Sequence, residues 1–216
     1  MIYLFDSGID PSTKYCTASY AVNNDSQDNV GHGTCMASVI KSVNSNSQIF
    51  SIKIGDDKPK LSNVLQCLDF LEQQETNGQD IILFNANFSS SSDVSLFEQK
   101  LSNLAKKFLI LVPAGNNGSS IDQYSPARCH FVLTVGSLNK HKKITSVSNT
   151  DGVKKIDLWV VSTNTPAMDK NENSVRLFGT SVAASIAAAL ADSKPIRDIE
   201  ILKKLINTYN DNVSFN

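Results

Sequence analysis

Residues 108–114 read Phe-Leu-Ile-Leu-Val-Pro-Ala, a run without a single polar side chain. Alternate residues of a strand face opposite ways, so such a run has to be covered on both faces. A parallel sheet between two layers of helices meets that demand, and a sheet with one wet face does not. Met1–Asp6, Gln48–Ile54, Asp80–Asn85 and His130–Val135 read as further strands of the same kind. Helical spacing falls between them, near 33–43, 60–75 and 93–107; Leu61, Val64, Leu65, Leu68 and Leu71 share one helix face. Near the carboxyl end, "SVAASIAAALA" (181–191) has no polar face and predicts a central, buried helix. "DIEILKKLINTY" (198–209) carries Ile199, Leu202, Ile206 and Tyr209 along one side and predicts a surface helix. The fold class expected is therefore α/β.

A chain of 216 residues suits one well-cored domain spanning 1–216. Its net charge of -1 gives no electrostatic case for nucleic acid or an anionic membrane as partner. Lys140, Lys142 and Lys143 around His141 read as a solvated turn. No apolar run approaches the ~18 residues of a membrane span. Asp6 follows the first five apolar residues at once, leaving no room for a secretory signal, so a cytoplasmic location is expected. Cysteines at 16, 35, 67 and 129 form no CxxC pair and match neither a disulfide framework nor a zinc pattern. They read as buried free thiols, and neither metal nor cofactor is expected.

In open parallel sheets, sites gather beyond the carboxyl ends of the strands. "LFDSGID" (4–10), "DNVGHGTCMAS" (28–38) and "LVPAGNNGSS" (111–120) sit at such strand exits or helix entrances, as does "FGTSVAAS" (178–185). They supply Asp6, His32, Asn116 and Ser181. Taken singly, each has a bland reading. Ser181 is a helix cap, Asp6 and Asn116 are turn residues, and a lone histidine is usually structural. His32 differs from His130, which reads as a packed strand residue, in lying between two glycines where a backbone approaches a substrate closely.

Taken together, these stretches resemble the subtilisin-like serine proteases over most of the chain. "DSGID", "GHGT", "PAGNNG" and "FGTSVAA" are similar to that family's aspartate, histidine, oxyanion-asparagine and serine motifs, in the family's order. "VLTVGSL" (132–138) and "TSVSNTDG" (145–152) are similar to its framework segments. The resemblance implies a three-layer fold with a mainly parallel central sheet flanked by helices. It also implies a serine endopeptidase acting on peptides or proteins; with the cytoplasmic location expected above, such a protease has to be restrained, for which a separate inhibitor or regulatory protein is one means. Ser181 would be the nucleophile, His32 the base and Asp6 its orienting carboxylate. Asn116 and the Ser181 N–H would hold the oxyanion, with Thr180 in support. The wall of the primary specificity pocket would correspond to "NFSS" (87–90), hence Asn87, Phe88 and Ser89, with Gly115 nearby. Its base would be Tyr124, excluding large side chains, or Asp122, favouring Lys or Arg. "GDDKPKL" (55–61) would form the opposite edge.

The chain also departs from the family pattern. Cys35 and Ser38 stand for a histidine and a glycine, which predicts a site sensitive to thiol reagents. Ser185 replaces a proline, and "LWVVST" (158–163) replaces an Ala-Pro-Gly stretch. Five residues before Asp6 imply a compact member without the usual arm and pro-segment. "NSNSQ" (44–48 by position) is too short for the calcium loop of many relatives; "NNDSQDN" (23–29) is the remaining weak candidate. The competing reading is a non-catalytic relative that binds a peptide or protein partner.

Overall fold

The computed structural model describes residues 1–56, 58–89, 93–194 and 198–213. Along the chain run β1 (Ile2–Asp6), β2 (Ala18–Ala21), α1 (His32–Val43), β3 (Ile49–Lys53), α2 (Leu61–Glu72) and β4 (Ile81–Phe84). There follow β5 (Phe88–Ser89), α3 (Ser95–Leu104), β6 (Leu109–Pro113), β7 (Tyr124–Ser125), β8 (Leu133–Leu138) and β9 (Leu158–Val161). The hairpin β10 (Thr165–Met168) and β11 (Ser174–Leu177) precedes α4 (Thr180–Asp192) and α5 (Ile199–Asn212).

Seven strands form one sheet in the order β2-β3-β1-β4-β6-β8-β9, each neighbouring pair parallel. Strand periodicity divides the core into two layers. Ile2, Leu4, Ile81, Leu83 and Leu111 face α1, α4 and α5; Tyr3, Phe5, Ile82, Phe84, Ile110 and Val112 face α2 and α3. The three-layer α/β architecture expected from the apolar strands is the one observed. Each outer helix buries a single stripe, as with Val64, Cys67, Leu68 and Leu71 of α2. α4 is buried almost all round, and its alanines let it lie close against the sheet. In α5, Leu202 and Ile206 are buried.

The sheet continues further than the sequence pattern indicated. β8 begins at Leu133, not His130, and His130 is exposed in a turn instead of packed in a strand. β2 and β9, at the two edges, were not predicted. β9 has its outer backbone groups taken by a side chain: the Val161 N–H donates to Asn210 Oδ1 at 2.8 Å, and Asn210 Nδ2 donates to the Trp159 carbonyl at 2.9 Å. Among the described residues, no helix is long and apolar enough to cross a membrane.

The tight seat of α4 gives a stability test. Ala187 is fully buried between helix and sheet. Ala187→Leu should destabilise by about 1–3 kcal/mol, because added methylenes force neighbours off their rotamers. Urea unfolding with an unchanged slope and an unchanged midpoint would show that α4 has room to spare.

Candidate active site

β1 lies between β3 and β4, where the winding of the sheet changes direction, and a crevice opens there at the carboxyl ends of the strands. Asp6 closes β1 at this point. Its Oδ1 accepts from the Ser7 N–H at 2.7 Å and contacts His32 Nδ1 at 2.7 Å; its Oδ2 accepts from Asn85 Nδ2 at 3.1 Å. An ionised carboxylate only accepts, so the imidazole proton sits on Nδ1 and Nε2 is left with a free lone pair. The Asp6 side chain is 4% exposed and that of His32 42%, so the acid is enclosed while the base faces the crevice. The Asp6 charge holds the His32 pKa above its ordinary 6.5, with a smaller push from Asp28 and with burial working against both.

Two features bring His32 to Asp6. Gly33 comes so near the turn after β1 that a Cβ there would stand 2.0 Å from the Gly8 carbonyl oxygen. Asp28, fully buried, then ties that turn to the start of α1. Its Oδ1 accepts from Ser7 Oγ at 2.8 Å and the Gly31 N–H at 2.6 Å; its Oδ2 accepts from the Thr34 N–H at 2.9 Å and Thr34 Oγ1 at 2.6 Å. Gly31 lacks a side chain to cap α1, and Asp28 performs that task from three residues upstream.

Ser181 is not a cap. α4 starts at Thr180 with Gly179 before it, at φ 112, a conformation that favours glycine. Ser181 is thus the second helical residue, where an N–H has no acceptor within the helix. Asn116 satisfies the helix end in its place: its Oδ1 accepts from the Thr180 N–H at 2.9 Å and from Thr180 Oγ1 at 3.0 Å. That fixes which way the amide faces, leaving Asn116 Nδ2 as a donor on the other side. Thr180 Oγ1 also accepts from the Gly115 N–H at 3.1 Å. Buried Asn149 clamps the rest of the loop, accepting from the Asn117 N–H at 3.0 Å and the Ser119 N–H at 3.1 Å while donating to the Ala114 carbonyl at 2.9 Å.

Two clefts meet at His32 and Ser181. One, of about 340 Å³, is lined by Asp6, Asn85 and Asn87 and by Gly55, Asp56 and Pro59 on the opposite edge. The other, of about 550 Å³, is lined by Asn116, Cys35, Lys170 and Phe178. The structure thus gathers Asp6, His32, Ser181 and Asn116, and Asn87 joins the first cleft. Phe88 turns its ring onto Phe97, with centroids 5.3 Å apart. Ser89 is exposed and pairs with Tyr124 across β5 and β7. Tyr124 Oη reaches to 3.5 Å from Ser119 Oγ, so the tyrosine spans from that wall to the Asn116 loop. Asp122 turns elsewhere and accepts from the Val153 N–H at 3.0 Å. Ser90 and Asp57 of the expected substrate edges lie outside the described residues.

Cys35 does line the cleft beside His32, but burial, helped by Asp169, Asp28 and Asp6, pushes its thiol to about 11. Little thiolate forms at neutral pH, so ready reaction with thiol reagents is disfavoured. Two oxygens of "NNDSQDN" face an internal cation: Lys53 Nζ donates to the Gln27 carbonyl at 2.7 Å and lies 3.5 Å from Asp25 Oδ2. Among the described residues, no group of three or more His, Cys, Asp or Glu side chains is placed to hold a metal ion. Asp28, Asn85 and Asn149 were not singled out from the sequence.

A parallel sheet between two layers of helices, with Asp6 at a strand end and His32 and Ser181 at the helix starts beside it, is a subtilisin-like arrangement. The subtilase family model matches residues 1–193, and the chain belongs to that family. It is 27% identical over 204 residues to subtilisin-like protease 2 of Pseudogymnoascus destructans, covering 88% of this chain and 50% of that protein. It is 25% identical over 205 residues to proteinase R of Parengyodontium album, covering 88% of this chain and 52% of that protein. The chain thus spans about half the length of these relatives. Among solved structures, a cold-adapted subtilisin-like serine proteinase superposes with a TM-score of 0.82 at 21% identity, covering 96% of this chain and 80% of that one.

The Asp6–His32 pair predicts a titration. In a Ser181→Ala background, the His32 ring protons followed by NMR should report a pKa above 6.5. Asp6→Asn should lower it, since burial then acts without the opposing charge. Because the folded value is raised, the stability gained from the pair is complete below the unfolded pKa and is lost as pH rises through the folded one. Equal pKa values with and without Asp6 would mean that the carboxylate does not govern the imidazole.

Proposed function

We propose that the protein is a subtilisin-like serine endopeptidase with Ser181 as nucleophile. The observation that carries this reading is the 2.7 Å Asp6–His32 contact, which leaves Nε2 free in the cleft that Ser181 also lines. Ser181 Oγ attacks the peptide carbonyl and passes its proton to His32 Nε2, and Asp6 stabilises the imidazolium. The oxyanion accepts from Asn116 Nδ2 and the Ser181 N–H, near the positive end of the α4 dipole. His32 then protonates the leaving amine; water, deprotonated by the same imidazole, attacks the acyl group, and the imidazolium returns that proton to Ser181 Oγ as the acid is released.

The substrate is a peptide or protein chain. Asn87, Phe88, Ser89 and Gly115 border the pocket for the residue before the scissile bond, and Tyr124 forms its base. Phe88 contributes through its backbone, since its ring is engaged with Phe97. A tyrosine spanning to Ser119 leaves room for small side chains only. Tyr124→Gly should therefore raise kcat/KM for Phe at that position, relative to Ala, by about tenfold or more. An unchanged ratio would remove Tyr124 from the pocket.

The location proposed is the cytoplasm, a reducing setting that suits four free cysteines. A fluorophosphonate probe applied to cell fractions tests location and chemistry together. It should label the wild type in the cytoplasmic fraction, label Asn116→Ala more slowly and leave Ser181→Ala unlabelled. Turnover should fall on the order of 10⁵–10⁶ for Ser181→Ala and 10²–10³ for Asn116→Ala, sizes carried over from subtilisin itself. A wild type that takes no label in any fraction would leave a peptide-binding domain in place of an enzyme.

A further inference from the structure

Lys53 ends β3, in register with Asp6 of β1 on one side and Ala21 of β2 on the other. Its side chain is only 7% exposed, an unusual place for an ammonium group. Three oxygens surround it: the Gln27 carbonyl at 2.7 Å, Asp56 Oδ1 at 3.0 Å and Asp25 Oδ2 at 3.5 Å. The Gln27 carbonyl and Asp25 Oδ2 accept hydrogen bonds from the ammonium, and Asp56 adds an ion pair.

The acceptors come from two different loops. Asp25 and Gln27 belong to the segment that leads into His32. Asp56 follows β3 and lines the 340 Å³ cleft on the edge facing Asn85 and Asn87. Asn29 Nδ2, 3.4 Å from Asp56 Oδ1, adds a weaker link between the same loops. Without the ammonium, Asp25 and Asp56 would face each other across its place as like charges, and the edge would move outward.

We propose that Lys53 is a positioning residue whose buried ammonium clamps the cleft edge, at Asp56 beside Gly55, to the loop preceding His32. It thereby sets the width of the cleft that receives the acyl side of the substrate. The clamp acts on binding and leaves the catalytic geometry undisturbed: Asp28 holds Asp6 and His32 together, and the Thr180–Asn116 bonds hold the start of α4 that carries Ser181. Its kinetic consequence rests on the proteolytic reading of the site; the clamp itself does not.

The test is Lys53→Met, which keeps the apolar stem and removes the charge. For a peptide with four residues before the scissile bond, KM should rise about tenfold with kcat within about twofold, the pattern of lost uniform binding. The rate of fluorophosphonate labelling should stay at the wild-type value. A merely structural role would lower kcat and labelling together, through the fraction folded. Amide exchange gives a readout independent of activity: the loops carrying Gln27 and Asp56 should both exchange faster. If Lys53→Met does not fold, Asp56→Asn removes the cleft-side end of the clamp and should raise KM in the same direction. An unchanged KM, or faster exchange in only one loop or in neither, overturns the proposal. If the wild type hydrolyses nothing, the proteolytic reading fails by itself and exchange alone decides the clamp.

Discussion

Asp28 carries its charge in full burial and holds it there with four close hydrogen bonds from two pieces of chain. One piece is the turn leaving β1, through Ser7. The other is the first turn of α1, through Gly31 and Thr34. A buried carboxylate is tolerated only when its lone pairs are satisfied, so neither piece can drift without stranding the charge. The unpaired N–H groups at the start of α1 would be equally costly alone. Each problem is the other's solution, and the result is that His32 meets Asp6.

The acyl-transfer side is built by a second clamp with no charge in it. Thr180 and Asn149 are fully buried, and between them they hold the 114–119 segment at both ends. The amide of Asn116 has its oxygen committed to the start of α4, so the donor direction is set before any substrate arrives. Such advance orientation is what makes a hydrogen bond useful to a developing charge, because nothing needs to turn during the reaction. Small side chains behind this helix end matter for the same reason. A helix of alanines seated against the sheet has little freedom to rock, and Ser181 rides on it.

Much of this was legible in the sequence, and for definite reasons. The apolar strand 108–114 announces a sheet covered twice, and 181–191 announces a helix without a wet side. Four short stretches, each ambiguous alone, are informative in their order. What could not be read is long-range pairing. Nothing local tells Asp28 from Asp25, yet one is enclosed by N–H and O–H donors and the other shares Lys53. Nothing in "TSVSNTDG" marks Asn149 as the residue that reaches back 32 positions to the Asn117 N–H. β8 was misplaced by three residues because Phe131 and Val132 are apolar like the strand that follows, and composition does not mark where pairing begins. The edge strands escaped for a related reason: Ala18–Ala21 is half exposed and lacks the apolar signature of the interior.

Asn210 gives the sheet an end stop. Its amide presents one donor and one acceptor to β9, the same pair that a neighbouring strand would offer to Trp159 and Val161. An arriving chain would have to evict it and leave both polar atoms of the Asn210 amide without these partners. The sheet therefore has a polarity of growth: it is closed on the α5 side, and further strand addition could proceed only at β2. For a protein whose proposed ligands are themselves extended peptides, that closure keeps one whole flank from competing with the cleft for the same backbone.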